Sequence, residues 1–247
     1  MRQARALAVR TDAGWKILRS AKEKTALDGG GAVRRILRRV LWSLLGVIVL
    51  AVVLFFVFGG EIRRFAYEGF GRDGWQKPEQ VLRTLELHPG EGVADIGTGG
   101  GYFTFLLARA VGPGGKVYAV DIDAEMVDYV RQRAQREGMS SVETILAEPA
   151  DPKLPAESVD LIFVCNTYHH LENRADYFRR VARALRPAGR LAVIEFKDSG
   201  WLARWFGHGT SAETIRAELE SAGYRLAQKH EFLSRQHFLV FSRMNEP

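Results

Sequence analysis

The sequence predicts an α/β protein: a doubly wound sheet of seven strands with an antiparallel last strand, preceded by a single transmembrane helix. Three observations lead there. From Trp75 onward, short β-branched runs alternate with amphipathic helical stretches. The first of those runs opens into the glycine cluster of Gly92–Thr104, GVADIGTGGGYFT. Ahead of both lies Val40–Phe58, nineteen residues without a charge.

Elements follow in order. Residues 1–39 form a basic segment with eleven Lys/Arg against Asp12, Glu23 and Asp28, a local balance of +8. The whole chain carries +6, so the remainder sums to −2 and is nearly neutral. Basic charge beside an apolar segment fits anionic lipid headgroups or membrane orientation, and nucleic acid is not an expected partner. Within the basic segment, Met1–Gly31 reads either as an interfacial helix, with Trp15, Ile17 and Leu18 among Lys16 and Arg19, or as a disordered stretch. Residues 40–58 span about 28 Å as a helix, close to the hydrocarbon thickness of a bilayer. A membrane partner and a single-pass membrane location follow. Six Lys/Arg on the leading flank against four on the trailing one lean towards a cytoplasmic N-terminus. Supply of a soluble cofactor instead favours the cytoplasmic face for the C-terminal domain, so the two arguments point opposite ways. Residues 59–74 read as a glycine- and aromatic-rich connector, and 75–247 as the globular domain.

Within that domain, Pro78–Leu87 reads as a helix with proline in its first turn. Strands are expected over Gly92–Ile96, Lys116–Val120, Val142–Leu146, Val159–Val164, Arg190–Phe196, Arg225–Glu231 and Gln236–Phe241. Helices are expected over Tyr102–Val111, Ala124–Glu137 with Asp123 as N-cap, Arg174–Leu185, and Ser211–Ala222 capped by Thr210 or Ser211. Two closing strands without an intervening helix make a hairpin that supplies an antiparallel edge. Ligands in such sheets bind at the C-terminal strand ends, so the residues just after each strand carry the chemistry.

The dinucleotide pattern G-x-G-x-x-G fails at Tyr102, where it needs glycine. The pattern acid-x-G-x-G-x-G fits Asp95, Gly97, Gly99 and Gly101 without mismatch. About twenty residues on, Asp121 ends the second strand, where an acid accepts both hydroxyls of a ribose. On these residues the chain, over about Trp75–Phe241, resembles the class I S-adenosylmethionine-dependent methyltransferases, and more generally their ubiquinone/menaquinone-type small-molecule members. The resemblance implies a Rossmann-like sheet and S-adenosyl-L-methionine as cofactor. It places Asp95, Gly97, Thr98, Gly99, Gly101, Asp121, Ile122 and Asn166 around that cofactor, with Glu148 or Asp151 at the adenine amino group. The residue after Glu148 is Pro149, which lacks the N–H that relatives offer to the adenine ring.

The fourth strand is followed by Cys165-Asn166-Thr167-Tyr168-His169-His170. Thr167 and Tyr168 replace the prolines of the N-P-P-Y run of amino-methylating nucleic-acid enzymes, which argues against base methylation. Cys165, the only cysteine, follows a buried strand and is a poor nucleophile candidate. Of His169 and His170, one reads either as a general base towards a hydroxyl or an acidic carbon, or as a structural histidine capping the next helix or packing over the cofactor. Adjacent histidines without an acid cluster are not metal ligands, so no metal is expected. Trp201, Leu202, Trp205 and Phe206 share one helical face that reads as core packing or as the wall of a hydrophobic acceptor site, with His208 as a further base candidate. The combined expectation is a membrane-anchored methyltransferase acting on a small, hydrophobic, lipid- or quinone-like acceptor. The alternatives are an anchored enzyme for a soluble or protein substrate, and a non-catalytic cofactor-binding membrane module.

Overall fold

A computed structural model describes residues 7–11, 14–18, 33–54, 71–198 and 209–244 of the 247-residue chain. The chain divides into two compact units, Met1–Glu61 and Ile62–Pro247.

In the first unit, β1 (Leu7–Thr11) and β2 (Gly14–Leu18) pair antiparallel, with Leu7 opposite Leu18 and Thr11 opposite Gly14. This differs from the expected interfacial helix or disordered stretch. Val9, Thr11, Trp15 and Ile17 are β-branched or aromatic and favour extended backbone, and only two residues separate the strands, a hairpin loop length. Helix α1 (Val33–Leu54) has 22 residues and a mean hydropathy of 2.2, with no part of its apolar surface buried. Its length of about 33 Å suffices to cross a bilayer. It starts earlier than residue 40, so Arg34, Arg35, Arg38 and Arg39 occupy its first turns. Residues 55–58 of the expected span lie outside the described residues.

The second unit is built on a seven-stranded sheet of β3 (Gly92–Ile96), β4 (Lys116–Asp121), β5 (Val142–Leu146), β6 (Val159–Cys165), β7 (Leu185–Phe196), β8 (Tyr224–His230) and β9 (Gln236–Arg243). The order is β5-β4-β3-β6-β7-β9-β8. The first five strands are parallel, and β9 runs antiparallel to both β7 and β8. The closing hairpin therefore docks through its second strand, and the outer edge β8 points the same way as β7.

Helices α3 (Pro78–Leu85), α4 (Tyr102–Val111) and α5 (Ala124–Arg136) cover one face through Val81, Phe103, Leu107 and Val130. On the other face lie α6 (Arg174–Val181) and α7 (Ala212–Ser221), through Phe178, Val181, Ile215 and Leu219. Central β6 is buried on both sides, which explains its nearly continuous apolar run. Asp123 caps α5 by accepting the Glu125 N–H at 2.9 Å, and Ser211 caps α7 by accepting that of Thr214 at 3.1 Å.

Two boundaries differ from expectation by more than two residues. Helix α6 ends at Val181 instead of Leu185, and β7 starts at Leu185 instead of Arg190. Leu185 pairs with Val159 and Arg190 with Leu161, so the Pro187–Gly189 stretch is taken up as an irregularity in the strand rather than as a turn before it. In the segment read as a connector, Arg72–Gln76 forms a short helix, α2.

Candidate active site

Because β4 and β5 lie to one side of β3 while β6 lies to the other, chain order reverses between β3 and β6. The loop after β3 (Gly97–Gly101) and the loop after β6 (Asn166–His170) meet at that point. Thr167 Oγ1 lies 3.4 Å from the Gly97 carbonyl oxygen and 3.2 Å from that of Cys165.

The glycine loop takes positive φ at every second residue, +77° at Gly97, +51° at Gly99 and +82° at Gly101. A Cβ at Gly97 would overlap the Thr167 side chain, and one at Gly101 would lie 2.6 Å from the Phe105 ring. The fold itself thus requires glycine at both positions. Asp121, at the end of β4, ties this loop to the next. Its Oδ2 accepts the Gly99 N–H at 2.8 Å and its Oδ1 accepts the Asp123 N–H at 3.0 Å. A carboxylate has about four lone-pair sites, so these two bonds leave acceptor capacity on each oxygen, matched to two adjacent hydroxyls. Ile122 follows with its side chain 62% exposed, an apolar surface beside that carboxylate.

Asp95 lies beneath the loop rather than on its surface, 3% exposed. Its Oδ2 accepts the Thr104 hydroxyl at 2.6 Å, and Thr104 in turn bonds Thr98. Burial pushes the carboxyl up to about 6 against the pull of those two hydroxyls and of Arg72. After β5, Glu148 and Asp151 are joined by a pair of backbone bonds at 2.9 and 3.0 Å, and both side chains are exposed. Glu148 Oε1 is 2.9 Å from Lys153 Nζ, and Asp151 Oδ1 accepts the Lys153 N–H.

Across the crevice, Asn166 sits at φ +57° and its Oδ1 accepts Gln236 Nε2 at 2.5 Å. Gln236 is buried, and its Oε1 meets no donor among the described residues. Of the two histidines, His170 is exposed, whereas the His169 side chain is 6% exposed and lies against a fully buried carboxylate. His169 Nδ1 is 2.9 Å from Glu195 Oε1, and the His169 backbone N–H reaches Oε2 at 3.2 Å. Glu195 escaped notice in the sequence. The available signal was one acid inside the apolar strand RLAVIEF.

Helix α2 closes the near side. Gln76 Nε2 donates to Cys165 Sγ at 3.0 Å, Tyr102 bonds Asp73, and the Arg72 guanidinium lies 4.2 Å over the Tyr102 ring. Burial pushes the Cys165 thiol up to about 12, which keeps it protonated and inert. Trp75 stacks on Phe196 at 5.7 Å, with Arg235 over the Trp75 ring. Trp201, Leu202, Trp205, Phe206 and His208 lie outside the described residues. Among the described residues, no cluster of three or more His, Cys, Asp or Glu could hold a metal.

A methyltransferase-domain family model matches residues 94–193. The crystal structure of an S-adenosylmethionine-dependent methyltransferase from Aquifex aeolicus is similar at 30% identity and a TM-score of 0.64, covering 69% of this chain and 92% of that one. An arsenite methyltransferase of Halobacterium salinarum is 28% identical over 58% of this chain and 39% of its own length. A ubiquinone/menaquinone biosynthesis C-methyltransferase of Ectopseudomonas mendocina is 32% identical over 47% of each chain. The chain thus spans less than half the length of these two curated relatives.

Proposed function

The chain belongs to the S-adenosylmethionine-dependent methyltransferase family, and from that premise we propose that it is a membrane-anchored enzyme that methylates a small hydrophobic acceptor. The observation that carries the reading is Asp121, whose two oxygens each retain acceptor capacity beside a glycine loop they already hold. When bound, S-adenosylmethionine supplies an electrophilic methyl group on a sulfonium sulfur.

The protein's own groups do the rest. Asp121 receives the ribose hydroxyls, and exposed Ile122 packs on the adenine. Glu148 or Asp151 accepts from the adenine amino group. The backbone of Gly97, Thr98, Gly99 and Gly101 backs the amino-acid end, with buried Asp95 contributing negative potential to its ammonium. Asn166 borders the same pocket from the β6 side, and His169, with His170 beside it, stands where an acceptor proton would leave. Methyl transfer is an in-line displacement, so alignment and water exclusion carry most of the acceleration. The anchor reading is supported by α1, whose apolar side chains are exposed along its length behind four arginines. A hydrophobic acceptor follows from that anchor and from the Trp75–Phe196 stack near the end of β7.

Calorimetry on the full chain in lipid nanodiscs tests the core of this. S-adenosylmethionine and S-adenosylhomocysteine are expected to bind at sub-millimolar concentration, and labelled methyl to enter a lipid extract. Label in a protein fraction instead moves the acceptor class to proteins, and absence of binding by either compound overturns the reading. Protease protection in sealed vesicles assigns the side of the membrane.

A further inference from the structure

We propose that the acceptor atom is a hydroxyl oxygen, of a phenol or enol, and that Glu195 is the positioning residue that fits His169 to take its proton. This rests on the methyltransferase reading and names the acceptor chemistry of the same site.

Glu195 lies on β7 directly after Leu191–Ile194, four fully buried apolar residues, and is itself 0% exposed. Taking a carboxylate out of water costs several kcal/mol unless specific donors compensate it. Oε1 accepts the Phe196 N–H at 2.7 Å and lies 2.9 Å from His169 Nδ1, while Oε2 accepts the His169 N–H at 3.2 Å. Two of these three contacts converge on one histidine, through its ring and its backbone. They fix the ring's orientation, and Nδ1–H donation to Oε1 places the lone pair on Nε2. The carboxylate also compensates the positive charge that the ring gains on accepting a proton, the role of the acid in an acid–histidine–nucleophile arrangement.

His169 is two residues from Thr167, which touches the glycine loop, so the dyad stands at the chain-order reversal of the sheet. His170 lies 4.0 Å away between ring centroids and is exposed.

Acceptor classes differ in their need for such a dyad. An amine attacks through its lone pair and sheds a proton to solvent afterwards. An alkyl thiol is about as acidic as a phenol, but its polarisable sulfur is the stronger nucleophile and leans less on a base. A phenol or enol is a weak nucleophile until its proton leaves. Here the O–H bond breaks as Nε2 takes the proton, an oxygen lone pair forms the new O–CH3 bond, and the bonding pair of the broken S–CH3 bond stays on sulfur. Positive charge thereby passes from the sulfonium to the imidazolium, which releases its proton to solvent.

The test uses the full chain in nanodiscs with S-adenosylmethionine and three probes: 4-nonylphenol, dodecylamine and 1-dodecanethiol. Methylation of the phenol alone or in large excess is expected. Glu195→Gln should lower kcat by about 10²- to 10⁴-fold, with KM for the phenol and calorimetric cofactor affinity within about threefold. Glu195→Asp should recover part of the loss. Nitrogen-15 NMR of His169, read without cofactor, should show protonated Nδ1 and unprotonated Nε2, with that tautomer lost in Glu195→Gln. If Glu195→Gln does not fold, His169→Asn carries the same kinetic test. Transfer to the amine or thiol in preference to the phenol, transfer to none of the three, or near-wild-type turnover by both variants overturns the proposal. Absence of cofactor binding overturns the methyltransferase reading itself, whatever tautomer the NMR shows.

Discussion

The ends of β3 and β4 are held mainly by backbone geometry, whereas the ends of β6, β7 and β9 are held by side chains paired over long sequence separations. On the first side, three left-handed glycines and one carboxylate accepting backbone N–H groups make the surface. On the second, His169 meets Glu195, Asn166 meets Gln236, and Gln76 meets Cys165. A backbone cradle suits one ligand shared by a whole family. Side-chain pairs can be exchanged singly, which suits a site that must select its own acceptor.

The sharpest way to break this contrast is Asp121→Ala. Charge-assisted hydrogen bonds contribute about 1.5–3 kcal/mol each, so losing the two proposed to the ribose should weaken S-adenosylhomocysteine binding by about 100-fold or more in calorimetry. Circular dichroism should stay close to wild type. An unchanged affinity would remove the first half's claim on the cofactor.

Next in size is Gly97→Ala. Left-handed strain plus overlap with Thr167 should cost about 2–4 kcal/mol in denaturant unfolding. Adding Thr167→Gly should restore the steric part and leave the strain of about 1 kcal/mol. No recovery in the double variant would mean that the two loops are not coupled as described.

Asp95 gives a third test, through pH. Its folded value of about 6 lies above the ordinary 3.8 because of burial, so between the two the folded chain binds more protons than the unfolded one. Asp95 therefore destabilises the fold above pH 6, and that penalty disappears as pH falls below about 4. Asp95→Asn should raise stability at pH 8 by up to about 3 kcal/mol, with no difference near pH 4, while cofactor binding weakens. Melts at both pH values check it.

The smallest effect is expected at Gln76→Ala, about 1 kcal/mol for one buried hydrogen bond to sulfur. Its clearer readout is Cys165. Iodoacetamide at pH 8 should barely modify the buried thiol in the native protein and should do so faster in the variant.

These two sides also separate what was legible in the sequence. Strand alternation and apolar periodicity depend on near neighbours, and all seven strands, with Asp123 and Ser211 as caps, stood in the expected places apart from the early start of β7. Gly97, Gly99, Gly101, Asp95 and Asp121 could be found because backbone sites need particular residues at fixed spacing. The burial of Asp95 could not, since the motif does not show that Thr104 occupies its carboxylate. Glu195 was hidden because its partner lies 26 positions away and only the sheet brings them together. Helix α2 was hidden because its glycines and aromatics resemble a linker until Gln76 finds Cys165. The Leu7–Leu18 hairpin was missed because its mix of apolar and basic residues fits a helical face nearly as well.

Asp121 accepts the Asp123 N–H, and the Asp123 carboxylate accepts the Glu125 N–H, so the acid proposed to bind the ribose and the cap of α5 form one relay. Amide exchange would read that relay directly. Occupying Asp121 should slow deuterium uptake at Gly99, Asp123 and Glu125 together, because all three protons escape only when the same short segment opens. The start of α5 would then report cofactor occupancy without any acceptor being known.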